Sequence, residues 1–146
     1  MSASDRATAA KAADRDRIGA SGPLNDADAV ATIAVRDIER AKAFYEGKLG
    51  FTPTETGEPG VQGYRSGNSS ILVYQSTYAG TSRATTATWV VDDVDRTVAA
   101  LKQRGIAFEQ YDLPDSTWQG DVMVSGKIRS AWFKDPDGNV LALVNS

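Results

Sequence analysis

The sequence predicts an α+β fold: two repeated βαβββ modules that form a cleft lined by curved mixed sheets. Three observations predict it. Residues 87–96 align without a gap on residues 31–40, so Trp89, Asp93 and Val94 answer Ile33, Asp37 and Ile38, and Ala99 continues the register against Ala43. The closing strands repeat too, residues 141–146 answering residues 71–76. Each copy also has a single helix for its strands, which covers one sheet face only. Two copies must therefore combine to bury their sheets.

Composition bounds the chemistry. A chain of 146 residues suits one domain, and its 16 basic and 19 acidic side chains leave a net charge of −3. That balance provides no electrostatic footprint for nucleic acid or an anionic membrane, so neither is an expected partner. The chain has no Cys and no His. Disulfides, thiol nucleophiles, thiolate metal sites and imidazole bases are thereby excluded. No apolar run is long enough to span a bilayer, and the N-terminus lacks a signal-peptide core. The expected location is cytoplasmic.

Residues 1–26, rich in Ala, Ser, Asp and Arg, have no apolar stripe and read as a flexible N-terminal tail ended by Ser21-Gly22-Pro23. Residues 27–146 read as one domain: module one over 28–76, a linker over 77–83 and module two over 84–146. In module one, residues 30–35 form a β-prone run and Asp37 is a helix N-cap. Ile38, Ala41, Phe44, Tyr45 and Leu49 share one helical face, and Gly50 stops the helix. Strand-like segments follow over 51–54, 61–65 and 71–75, with Pro59, Gly60 and Gly67-Asn68 between them. In module two, Asp93 is the cap, Val94, Val98 and Leu101 are the buried stripe, and Gly105 is the stop. Residues 112–127 form a long polar segment whose Trp118 is either a lid over the cleft or an anchor at a subunit contact, the lid being favoured.

Residues 31–37, with Phe44-Tyr45 and Leu49-Gly50-Phe51, resemble the opening of a vicinal-oxygen-chelate domain. Ala131-Trp132-Phe133-Lys134-Asp135-Pro136-Asp137-Gly138-Asn139 resembles that superfamily's closing hairpin. Glyoxalase I, extradiol dioxygenases and bleomycin-resistance proteins belong to it. Read for themselves, these residues suit a tight turn, with Asp135 bonding the turn's backbone N–H groups. The resemblance implies metal ligands on the first and last strand of each module. Those positions fall on Val30, Thr86, Ala142 and Leu72, none of which is His, Glu or Gln. Zinc or iron would find no ligand set there. The chain is identified as a superfamily member lacking the metal ligands, and no cofactor is expected.

Strand alternation then predicts what faces the cleft. If Val30 and Thr86 point inward, so do Thr32, Ala34, Thr88 and Val90, with Ile33, Val35, Trp89 and Val91 under the helices. Leu72, Tyr74, Val140, Ala142 and Val144 share the inward face, as do Ser130 and Trp132, while Phe133 lies under the helix. The candidate ligand-binding residues are Thr32, Leu72, Tyr74, Thr86, Thr88, Trp118, Trp132 and Ala142, with Tyr64 a weaker candidate. No catalytic residue is identified. The favoured reading is a metal-free, glyoxalase- or bleomycin-resistance-like protein that binds a small apolar or aromatic molecule, as in sequestration or resistance. The competing reading is a metal-independent isomerase, lyase or cyclase using Asp, Glu or Tyr, with Glu109, Tyr111 and Asp112 near the cleft rim. Exposed strand edges lead us to expect a homodimer.

Overall fold

The structure, a computed structural model, describes residues 22–55 and 58–146. Of the predicted tail, residues 1–21 lie outside the described residues, and residues 22–30 are exposed turns and irregular chain.

Module one runs β1 (Ala31–Val35), α1 (Ile38–Lys42), β2 (Thr52–Thr54), β3 (Val61–Ser66) and β4 (Ser69–Gln75). Its sheet has the order β1-β4-β3-β2, with β1 parallel to β4 and the other pairs antiparallel. Module two runs β5 (Thr85–Val91), α2 (Val94–Gln103), β6 (Phe108–Glu109), β7 (Thr117–Gln119), β8 (Val122–Ser125), β9 (Ile128–Lys134) and β10 (Val140–Asn145). Its sheet has the order β5-β10-β9-β8-β7, with β6 paired to β9. The internal repeat survives in the pairing register. Thr32 opposes Leu72 in sheet one as Thr88 opposes Ala142 in sheet two, and Ile33 opposes Val73 as Trp89 opposes Leu143.

The helix starts are as read. The Asp37 carboxylate accepts from the backbone N–H of Glu39 and Arg40 at 3.0 and 3.2 Å, and that of Asp93 accepts from Arg96 N–H at 3.1 Å. Each helix ends before a glycine in the left-handed region, Gly50 at φ 77° and Gly105 at φ 89°. The interior of the first helix differs from expectation. Beyond Lys42 it widens into a π-helical segment, Ala43–Lys48, and the Leu49 N–H donates to the carbonyl of Phe44, five residues back. The extra residue in the turn turns both Phe44 and Tyr45 into the core, and Leu49 packs partly buried against it.

Module two carries a hairpin that module one lacks. The segment read as a long polar loop folds in part into β7 and β8, which pair beside β9 at the end not occupied by β6. Gly120 and Gly126, both at positive φ, make its turns. Lys102 holds Asp121 at 2.7 Å and Gln110 donates to the Gly120 carbonyl at 2.7 Å, so the hairpin is tied to α2 and to the chain that follows β6.

One buried cluster joins the helix-facing sides of both sheets. Ile33, Val35, Ile71 and Val73 from sheet one share it with Ala131, Phe133, Leu141 and Leu143 from sheet two. An aromatic file crosses between modules where Phe51 stacks on Trp89, centroids 5.7 Å apart, and continues to Phe133 at 6.4 Å. The Trp89 indole N–H reaches back to the Ser66 hydroxyl at 3.0 Å. Trp89 and Phe133 are thus core, as expected. Tyr64, the weaker ligand candidate, is also core: it is fully buried and donates to Glu46 at 2.8 Å.

The β9–β10 turn joins the modules through polar contacts. Asp135 is 5% exposed. One carboxylate oxygen accepts from the backbone N–H groups of Asp137 and Asn139, the other from the Tyr45 hydroxyl and the Asn139 amide, all at 2.8–3.0 Å. The same amide donates to the Ala34 carbonyl at 2.8 Å, and the Arg36 N–H donates to Asp137 at 3.2 Å. At Gly80 any β-carbon would collide with the Asp137 carbonyl oxygen, which seats the linker against this turn.

Asp135→Ala strips four donors of their acceptor. At about 1–3 kcal/mol for each buried group left unpaired, urea denaturation should show a loss of at least ~3 kcal/mol. Tyr45→Phe removes one of those bonds and should cost about 1 kcal/mol. The two variants also predict a pH effect. Burial first, and then the charge of Asp135, hold the Tyr45 phenol above its ordinary value of 10.0. The folded state therefore keeps a proton that the unfolded chain releases. This contribution is complete below that unfolded value and is lost as pH rises past it, at up to ~1.4 kcal/mol per pH unit. Urea midpoints should fall above roughly pH 10, and Tyr45→Phe should flatten the fall.

Candidate functional site

The faces turned away from the shared core carry the candidate residues. On sheet one, Thr32, Leu72 and Gly63 form one row across the strands, and Ala34, Tyr74 and Val61 form the next. On sheet two, Thr88, Ala142, Trp132 and Glu109 form a row, followed by Val90, Val144, Ser130 and Met123, with Trp118 beyond Met123. The sheets approach each other at the β1 and β5 edges, so the two faces flank one seam. They stand open to solvent there: Val30 is 47%, Tyr74 37% and Val90 66% exposed.

Trp132 is the centre of the sheet-two face. Alternation turns it away from the buried Phe133, and its ring meets Tyr111 edge-on at 5.8 Å and Trp118 at 6.1 Å. These three rings form an angled wall on the face that also carries Ala142 and Thr88. Trp118 lies on the short strand β7, where an irregular polar segment was expected, and packs against Trp132. A three-residue strand with a Gly turn inside a polar stretch is too short to show clear alternation. The residues 122–124 alone carry it, with Val122 buried and Met123 facing Trp118 across the pair.

The strand pattern is interrupted at Thr86. The β5–β10 register shifts between Val140, which opposes Thr85, and Leu141, which opposes Ala87. Thr86 is the extra residue of a β-bulge, and strict alternation fails across it. Thr85 stands beside the aromatic wall instead, its hydroxyl accepting from the Trp132 indole N–H at 3.3 Å. The Thr32 hydroxyl donates to the Val30 carbonyl at 3.1 Å. Thr32, Leu72 and Tyr74 stay together on sheet one. Thr88, Trp118, Trp132 and Ala142 come together on sheet two, joined by Thr85 and Tyr111, which the candidate set did not include.

Electrostatically the site is quiet. Asp135 is the one buried carboxylate among the described residues, and its oxygens serve the turn. Tyr111 has a hydroxyl enclosed by protein and without a hydrogen-bond partner, and burial, followed by the nearby Glu109, raises its pKa above the ordinary phenol value. It stays a proton donor across the neutral range. The residues at the four positions expected to hold a metal, Val30, Leu72, Thr86 and Ala142, offer one hydroxyl and no carboxylate or imidazole. No group of three His, Cys, Asp or Glu among the described residues could hold a metal ion. The donor set does not fit the metal that such a fold can carry. No helix among the described residues is long and apolar enough to cross a membrane.

No curated protein matches the sequence. Solved structures do match its fold. A fosfomycin resistance protein encoded in the genome of Listeria monocytogenes is 14% identical, with 83% of this chain and 93% of that one covered and a TM-score of 0.62. A lactoylglutathione lyase from Agrobacterium tumefaciens is 17% identical over 83% and 94%, with a TM-score of 0.61. A glyoxalase/bleomycin resistance protein from Catenulispora acidiphila is 21% identical over 82% and 97%, with a TM-score of 0.60. A family model matches residues 28–143, from just before β1 into the last strand. With its repeated module, capped helices and hairpin turn, this chain belongs to the Glyoxalase/Bleomycin resistance protein/Dioxygenase superfamily.

Proposed function

We propose that the protein is a metal-free binder of a small apolar or aromatic molecule, with a role in sequestration or resistance. The observation that carries this reading is the wall of Tyr111, Trp132 and Trp118 on the open face of sheet two. Three rings at edge-on and tilted angles give a flat ligand stacking surface and exclude water from its faces. Thr88 and Thr85 are exposed beside them and supply hydroxyls. The apolar residues at the former ligand positions fit a site that works by burial. Acid–base catalysis is less well supported, because the one buried carboxylate among the described residues is committed to the turn.

The decisive experiment is mass spectrometry of small molecules retained by protein purified under native conditions, with metal analysis of the same sample. We expect an aromatic or conjugated compound and no stoichiometric transition metal. Stoichiometric Zn, Fe, Mn, Ni or Co would overturn the reading. Trp132→Ala should weaken binding of a retained aromatic compound by more than about tenfold, since stacking is worth roughly 0.5–1.5 kcal/mol beyond the burial that is also lost. Trp132→Phe should keep most of both. Unchanged affinity in a folded Trp132→Ala variant would remove this ring from the site.

We also infer a homodimer. Val30, Tyr74 and Val90 are exposed beside the seam, and β2 and β7 are free sheet edges. Light scattering should give twice the chain mass at micromolar concentration, and a monomer that does not change on concentration would refute it.

A further inference from the structure

We propose that the aromatic face ends in a subsite for an anion, so that the molecule the site takes is an aromatic or conjugated carboxylate. The inference rests on the aromatic-binding reading above and adds the charge of the ligand to it.

Next to the wall lies a pocket of about 320 Å³, lined among others by Ser82, Arg83, Tyr111, Lys134 and Val140. It adjoins the wall directly. Val140 and Lys134 are paired two residues along from the Ala142–Trp132 pair, and Val140 also opposes Thr85, the hydroxyl that holds the Trp132 indole. A flat molecule stacked on Trp132 therefore extends naturally into this pocket.

Two cations converge on it from different parts of the chain, Arg83 from the linker and Lys134 from the end of β9. Neither forms an ion pair with a described residue. The nearby carboxylates do not neutralise them. Asp135 is bound within its turn and Asp137 accepts from the Arg36 N–H, while Glu109, in the Trp132 row, shares a neighbouring pocket with Lys134 without forming an ion pair to it. Two like charges around a small pocket favour an anion between them, and a guanidinium with an ammonium suits a carboxylate.

The linker that carries Arg83 is built. Ala79 is fully buried and its carbonyl accepts from Arg36, Gly80 lies against the Asp137 carbonyl, and the Ser82 hydroxyl accepts from the Ala84 N–H at 3.1 Å. The Ser82 proton is left to donate. The pocket wall also contains Tyr111, whose enclosed hydroxyl finds no partner in the chain. That hydroxyl is closed off by protein, so the polar contacts open to an anion are the two cations and the Ser82 hydroxyl.

The test is a tryptophan-fluorescence titration of the full chain with 2-naphthoate and with neutral 2-naphthamide. A charge-assisted contact predicts that naphthoate binds roughly tenfold tighter or more, and that added salt weakens naphthoate alone. Arg83→Gln and Lys134→Gln, both surface changes, should each reduce that preference severalfold and leave the amide unaffected. Equal affinity for the two probes would overturn the anion subsite and leave the aromatic site standing. A preference that survives in both Gln variants would also overturn it, by placing the anion elsewhere. Binding of neither probe would overturn both readings.

Discussion

The buried carboxylate of Asp135 is the interaction on which the rest of the molecule depends. A charge this deep is tolerated only when its oxygens are fully engaged, and here four donors engage them. Two of these are backbone N–H groups of its own turn, which shape the β9–β10 hairpin. The Tyr45 hydroxyl belongs to module one, so the same group that closes the turn in module two fastens it to the first helix. Asn139 extends the network to the end of β1 through the Ala34 carbonyl. Docking of the modules is thereby polar and directional at one end of the seam, where apolar contact alone would leave the relative register loose.

At the other end of the seam the contacts are aromatic. Phe51 on Trp89, with Trp89 reaching Ser66, holds β5 against the first sheet. The two ends together bury the helix-facing side of each sheet in one core and leave the opposite sides free. Module two uses that freedom differently from module one. Its added hairpin carries Trp118 to Trp132, and its chain after β6 carries Tyr111, so the aromatic surface gathers on one sheet. Sheet one contributes a lighter face of Thr32, Leu72 and Tyr74. The asymmetry comes from what was inserted into the second copy of a repeated plan.

Much of this was legible in the residues. The repeat at 31–40 and 87–96 reappears as matched strand pairing, and Asp37 and Asp93 cap their helices because a short carboxylate after a strand has free N–H groups within reach. The turn role of Asp135 followed from the Pro, Gly and Asn that surround it. Alternation separated Trp132 from Phe133 correctly, since one side of β9 faces a core and the period of a strand is two residues. Alternation does not carry across Thr86, where β5 bulges. A bulge depends on how the partner strand arrives, and β10 lies more than fifty residues away in the sequence. The widened turn at residues 43–48 was hidden for a similar reason: an i, i+3, i+4 pattern and an i+5 pattern place Phe44, Tyr45 and Leu49 on nearly the same side.

The sequence by itself determined the family, the module plan, the helix ends and the absence of His and Cys. Each of these rests on local chemistry or on which residue types exist at all. Only the tertiary structure decided that Trp118 lies on a strand against Trp132, that Thr85 and Tyr111 join Trp132, and that Arg83 and Lys134 line one pocket beside them. Those are distances between segments far apart in the chain. They are set by how two sheets dock around one shared core, and no local propensity encodes them.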